Sequence, residues 1–301
     1  MSSLLPRAML CFLVVSGSAL AATPTFADPD AAIEALVTAA RSGRIQSMIS
    51  VLGDPAKSYL ASGDAVADRT ALHRFVELYD RRHTLDAPEE SRRILSVGED
   101  SWPFPIPLVQ GKKGWSFDAK AGQEEILARR VGQNELDAIQ VCLGYVSAQE
   151  DYLARNPEGT SVPHYADRLL SSPGKKDGLF WKAAPGEPES PMGPAVSGAV
   201  QAGYAPKHGR RTPYRGYFFR ILTRQGPHAE GGAMDYREGG KLTRGFALVA
   251  YPASYGNSGV MTFLVNQAGV VFEKDLGSKT AKTASGLQAF DPGDGWKPVK
   301  P

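Results

Sequence analysis

The residues able to do chemistry are few and scattered. The chain carries five histidines, His73, His83, His164, His208 and His228. No two stand four apart, the spacing that sets two imidazoles on one helix face around zinc, so neither a metal nor a cofactor is expected. No G-x-S-x-G elbow, P-loop or G-x-G-x-x-G turn occurs. Ser258 lies between glycines in Gly256-Asn257-Ser258-Gly259. That run leads into a strand pattern instead of joining a strand to a helix, and reads as a turn. Glu124 and Glu125 open a helix, where the helix dipole accounts for adjacent carboxylates better than acid–base work does. The loop QGPHAEGGAMDYREGGK, 225–241, gathers His228, Glu230, Asp235 and Glu238. Functional residues concentrate on such loops. His228 and Asp235 are therefore candidate binding residues, and His228 with Asp235 or Glu230 is the pairing a hydrolase would use. The oxygen ligands there do not follow an EF-hand spacing. Trp102, Phe104 and Trp115 are candidates to line an apolar ligand pocket. No residue is assigned a catalytic role, and the balance is against an enzyme.

The elements that must position these groups follow from periodicity. Ile33, Leu36, Val37 and Ala40 give a helix over 31–41, with Asp30 as cap, and Ile45, Met48, Ile49 and Leu52 a second, ended by Gly53. A third spans 67–81. RRILSV, 92–97, is strand-like, and 106–110 pairs with 114–118 as a hairpin that turns Trp115 and Phe117 to one face. A long amphipathic helix is expected from an Asn134 cap to about 155, with Leu136, Ile139, Cys142, Leu143, Val146, Tyr152 and Leu153 as its apolar stripe. Cys142 then reads as a small buried hydrophobe. The segment 157–213 is rich in Pro and Gly and reads as a connection. Strands are expected at 217–222, 246–250, 260–266 and 270–274. The fold class is thus α+β: N-terminal helices with a small hairpin sheet and the long helix (28–156), then a C-terminal antiparallel β-sheet (214–301).

Length and charge set bounds. At 301 residues, 42% hydrophobic and 22% charged, the chain can bury a full core. Its net charge of +2, from 34 basic and 32 acidic residues, leaves no basic stripe for nucleic acid. The first 27 residues combine Arg7, an apolar run over 8–15 and small residues. Ala19-Leu20-Ala21 and Thr25-Phe26-Ala27 both fit a small-x-small cleavage site. This reads as a cleaved secretory signal, placing the protein in the periplasm or outside the cell with no stable membrane span after cleavage. Cys142 is then the one remaining cysteine, and no internal disulfide can form.

Five runs carry a family likeness: EDSWPFPIPLV, GQEEILARRVGQNELDAIQVC, SSPGKKDGLFW, PYRGYFFRILTRQG and GFALVAYPASYGNSGVMTFLVNQAGVVFEKDLG. Together, over 28–299, they resemble the bacterial family DUF2950, a domain of unknown function. The resemblance implies an exported protein and supplies no catalytic residues. GFALVAYP followed by GVMTFLVNQAGVV is also weakly similar to the C-terminal sheet of pilin-like proteins, although the long apolar N-terminal helix of a pilin is missing. The expected function is a non-catalytic binding or structural role toward an envelope protein or small ligand. A hydrolase with an unrecognised site and a pilus-associated surface subunit are the alternatives.

Overall fold

The computed structural model describes residues 23–204 and 212–300. The signal segment expected at the N-terminus lies mostly outside the described residues. α1 (Pro29–Arg41) starts two residues earlier than periodicity indicates. Its cap is Asp28, not Asp30: the Asp28 carboxylate accepts from Ala31 N at 2.8 Å, and Pro29 supplies the fixed φ suited to a first helical position. α2 (Ile45–Leu52) follows, ended by Gly53 at φ 89°. α3 (Ala65–Arg81) is capped by Asp64. The strands β1 (His83–Glu89), β2 (Arg92–Val97), β3 (Leu108–Gly111) and β4 (Gly114–Phe117) form one antiparallel sheet in that order, with Trp102–Pro103 also on β2. β1 is an exposed edge strand with one half-buried side chain, so it carries no apolar alternation for a sequence reading to find. The helices pack on this sheet over Leu36, Leu52, Tyr59, Leu95, Ile106 and Trp115.

The expected Asn134 cap is not one. α4 (Gln123–Arg155) is a single helix of 33 residues, and Gly132 sits inside it. Asn134 is buried and donates from Nδ2 to Ser258 O at 2.9 Å. The buried stripe runs through Ala138, Cys142, Tyr145, Gln149 and Tyr152, while Leu136 and Leu143 face solvent, 62% and 38% exposed. Gln149 stands on the buried stripe, well round the helix from both leucines, and turns inward fully bonded, giving to Ala166 O and Tyr145 Oη and accepting from Ala166 N, so a polar residue forms part of the core face. Cys142 is fully buried, and burial pushes its thiol up to about 12.

α5 (Gly193–Gln201) is a short helix within the Pro/Gly-rich segment. β5 (Tyr217–Leu222), β6 (Ala247–Pro252), β7 (Met261–Asn266), β8 (Phe272–Asp275) and β9 (Lys297–Pro298) form the second antiparallel sheet, in the order β9-β8-β7-β6-β5. α4 packs on β6 and β7, and α6 (Thr280–Gly286) packs at β6. β6 is buried along its whole length. Tyr217, Leu248 and Phe263 join the core on the α4 side, and Leu222, Val249 and Leu264 join the opposite core.

Two polar knots tie the N-terminal helices to this sheet. One Asp64 oxygen caps α3 through Val66 N and Ala67 N, both at 3.1 Å; the other accepts from Tyr204 Oη at 2.8 Å and Gly216 N at 3.0 Å. From α4, the Arg130 guanidinium donates to Tyr59 O at 2.5 Å, Leu60 O at 3.4 Å and Asn257 Oδ1. Asn257 in turn donates to Ala61 O at 2.8 Å. Among the described residues no helix is long and apolar enough to cross a membrane.

Candidate functional site

Several segments remote in sequence line a cleft of 640 Å³. α4 gives Asp137, Val141 and Gly144; α5 gives Val196 and Ala199; β5 gives Phe218 and Phe219, with Leu248 of β6 as floor. The volume lies in the range of small-ligand sites, about 300–1,000 Å³, and the lining is mostly aliphatic and aromatic, as such sites are. α4 places these groups because the stripe about a quarter-turn round from them is buried on the sheet, which leaves the 137–141–144 face toward α5. Gly144 widens the space. A glycine inside a helix costs about 1 kcal/mol relative to alanine. No neighbouring atom lies within 4 Å of where its Cβ would stand, so no close backbone approach demands it. Its effect is to leave the cleft open.

Polar groups gather at one rim. Arg215 donates from Nη1 to Asp137 Oδ2 at 2.8 Å and stands 5.7 Å from the Tyr214 ring centre. The Asp137 carboxylate holds the guanidinium pKa above its usual value. Arg215 has a φ of 49°, a left-handed conformation rare for a side chain of its size. The conformation is held from both sides, by Tyr204 Oη accepting from Arg215 N at 3.2 Å and by Asp64 accepting from Gly216 N. Among the described residues the lining contains no histidine, cysteine, serine or lysine. Burial keeps the Tyr145 phenol protonated by raising it far above its usual value. Among the described residues the cleft therefore offers apolar contact and rim hydrogen bonds; its one hydroxyl bonded to a carboxylate is Tyr204, whose phenol burial and Asp64 raise above its usual value.

A second cluster holds one wall. Glu158 accepts from Tyr152 Oη at 2.9 Å and from Lys241 Nζ at 3.1 Å, with His164 Nε2 at 2.9 Å. With Tyr165 N donating to Leu242 O at 2.8 Å, this fixes the chain that continues to Leu169 and Leu170 at the cleft. Burial alone would raise the Glu158 carboxyl, but the bonds from Lys241, His164 and Tyr152 outweigh it and hold it below its usual value. A carboxyl lowered on folding stabilises above its unfolded pKa, about 4.3, and loses that contribution as pH falls through the folded value. Glu158→Gln is expected to destabilise by about 1.5–3 kcal/mol at pH 7. Thermal melts from pH 7 to 3 should show the gap from the parent closing below about pH 4.3; a gap constant with pH would count against this role.

The residues singled out from sequence fall elsewhere. Phe104 and Trp115 are core: Phe104 packs 5.3 Å from Phe75, and Trp115 is 6% exposed under Arg93. Trp102 is 41% exposed, with the Arg129 guanidinium 4.3 Å above its ring. His228 does not bond to the carboxylates of its own loop. Its Nδ1 lies 3.1 Å from both oxygens of Asp291, on an exposed turn, while Asp235 accepts from Arg237 N. Among the described residues no three His, Cys, Asp or Glu side chains are grouped to hold a metal. A smaller pocket of 370 Å³ between α1 and β1 is lined by Asp30, Glu34, Arg41, Tyr79 and His83, with Arg41 already paired to Asp80 at 2.6 Å. Sequence reasoning missed the cleft. Gly144 within an amphipathic helix and the paired Phe218-Phe219 were its only local signals.

Comparison with known proteins gives one match: the family described as "Protein of unknown function (DUF2950)" covers residues 23–299. No curated protein and no solved structure matches the chain.

Proposed function

Because the chain belongs to the DUF2950 family, which assigns no activity to its residues, we propose from the cleft itself that this is a non-catalytic binding protein of the bacterial envelope. It is exported, and it holds an apolar group of a ligand or partner between α4, α5 and β5. The observation that carries this reading is the 640 Å³ apolar cleft kept open at Gly144. Titration with the neutral fluorophore N-phenyl-1-naphthylamine tests it. The expected result is saturable, blue-shifted emission at one site per chain; emission that rises linearly without saturation would refute it.

Export carries its own prediction. Phe26 exchanges both backbone hydrogen bonds with Trp115, at 2.8 and 2.9 Å, and its ring meets Phe117 edge-on at 6.3 Å. Gly114 makes room for this: its φ is 118°, and a Cβ there would collide with the Phe26 carbonyl oxygen. Cleavage after Ala27 would discard that partner, so the signal is expected to end at Ala21. Intact-mass measurement of protein recovered from the periplasm or medium should give an N-terminus at Ala22. A chain starting at Asp28, or one retaining Met1 in the cytoplasm, would contradict this.

A further inference from the structure

Among the described residues, the outer edge of β5 keeps a short window of backbone without a strand partner beside the cleft. Ala253 N donates to Gly216 O at 2.8 Å, extending the register Pro252↔Tyr217 between β6 and β5. In an antiparallel ladder this determines which residues turn their N–H and C=O groups inward: Gly216, Phe218, Arg220 and Leu222. Tyr217, Phe219 and Ile221 turn theirs outward. Both ends of that row are closed. Tyr217 N donates to Tyr214 O at 3.1 Å, and Tyr217 O accepts from Tyr214 N at 2.8 Å. Just beyond the strand, Thr223 O accepts from Tyr236 N at 2.9 Å. Between these stops, Phe219 and Ile221 have no backbone partner on the outer side among the described residues. Phe219 packs on the α4 side of the sheet and lines the cleft, and Ile221, next on the same face of the strand, touches the cores on both sides.

We propose that this window is a strand-addition site: an extended segment of a partner polypeptide pairs with Phe219 and Ile221 and sends alternate apolar side chains into the cleft. The proposal rests on the reading of the cleft as a ligand site and names the class of ligand. A purely aliphatic ligand would fill the space without bonding to the two N–H and two C=O groups of that edge, which an extended polypeptide can pair. A second strand repeats its own groups every two residues, about 6.6–6.8 Å, matching the spacing of Phe219 and Ile221. Residues opposite each other in an antiparallel pair point to the same face. The two peptide residues that bond to Phe219 and Ile221 therefore both face the α4 side of the sheet, where Phe219 lines the cleft, which selects an apolar–any–apolar pattern. Specificity then comes from the cleft, and the edge sets backbone alignment.

The test uses the purified protein, N-phenyl-1-naphthylamine as cleft probe, and the capped peptide acetyl-Thr-Leu-Thr-Phe-Thr-amide. The peptide should displace the probe and slow hydrogen exchange at the Phe219 and Ile221 amides. The same peptide N-methylated at Leu and Phe should compete at least tenfold more weakly. Ile221→Pro removes one outward N–H while leaving the inward ladder bonds in place. It should weaken the peptide at least tenfold and leave probe binding unchanged. Should that variant not fold, the N-methylated peptide on the parent protein decides alone. An N-methylated peptide that competes as well as its parent would overturn the proposal, as would a peptide that cannot displace a bound probe. Failure of the probe itself to bind would instead remove the cleft reading, and this inference with it.

Discussion

Arg130→Met is expected to destabilise the whole protein by about 3 kcal/mol, at the lower end of the cost of breaking a buried charge interaction because Arg130 is half-buried. The substitution removes the donor to Tyr59 O, Leu60 O and Asn257 Oδ1 together, at the point where α4, the N-terminal helices and the turn before β7 meet. It also removes the cation that faces Asp68. Burial dominates the Asp68 carboxyl and raises it, with Arg130 among the groups that oppose the rise; burial likewise lowers the Arg130 guanidinium. A carboxyl raised on folding favours the fold while protonated and loses that contribution as pH rises through the folded value. Without Arg130 the rise is larger, so the gap between variant and parent should widen from pH 4 to pH 7. At pH 7 the melting temperature should fall by about 6–12 °C. Arg130→Lys keeps the charge without the planar fork and should fall between the two. A melt unchanged within 2 °C, as an approximate threshold, would show that the knot contributes little.

Gly144→Phe is expected to abolish most apolar binding without loss of stability. A phenyl ring at this position enters the cleft, since no atom occupies the path of its Cβ. Denying a ligand that contact costs about 1.5–3 kcal/mol, a roughly tenfold to hundredfold loss in affinity. The helix itself should gain slightly, because phenylalanine is a better helix former than glycine. Gly132→Phe is the matched control: same helix, same open surroundings, outside the cleft. It should bind the probe like the parent. Equal loss in both variants would point to a general effect on α4.

Local pattern made much of the fold legible. The hairpin of β3 and β4 and the strands β5 to β8 were readable because one or both faces are buried and the turns carry their own chemistry. The family likeness was carried by the same runs and is shown by the match over residues 23–299. Other features depend on distant partners. Asn134 after Gly132 looks like a helix start, yet α4 runs through both because its burial against the sheet outweighs one glycine. Leu136 and Leu143 look like core, yet the buried face runs through Ala138, Cys142, Tyr145 and Gln149 and leaves both leucines to solvent, while Cys142 is buried as expected. Proline and glycine hid α5, and polar residues hid the edge strand β1. The site was the least legible part. Trp102, Phe104 and Trp115 are near one another in sequence, but the N-terminal core takes two of them and solvent the third. The cleft is made by 137–145, 169–170, 191–199, 212–219 and Leu248 with Tyr204, segments that only the fold brings together.

The central claim is that the cleft between α4, α5 and β5 takes an apolar group, and photolabelling tests it most directly. An aliphatic diazirine probe, irradiated with the purified protein and mapped by peptide mass spectrometry, should label Val141, Met192, Phe219 and Leu248 saturably, with labelling suppressed in Gly144→Phe. Saturable labelling confined to other surfaces, or labelling of these residues unaffected by Gly144→Phe, would contradict the assignment of the cleft as the binding site.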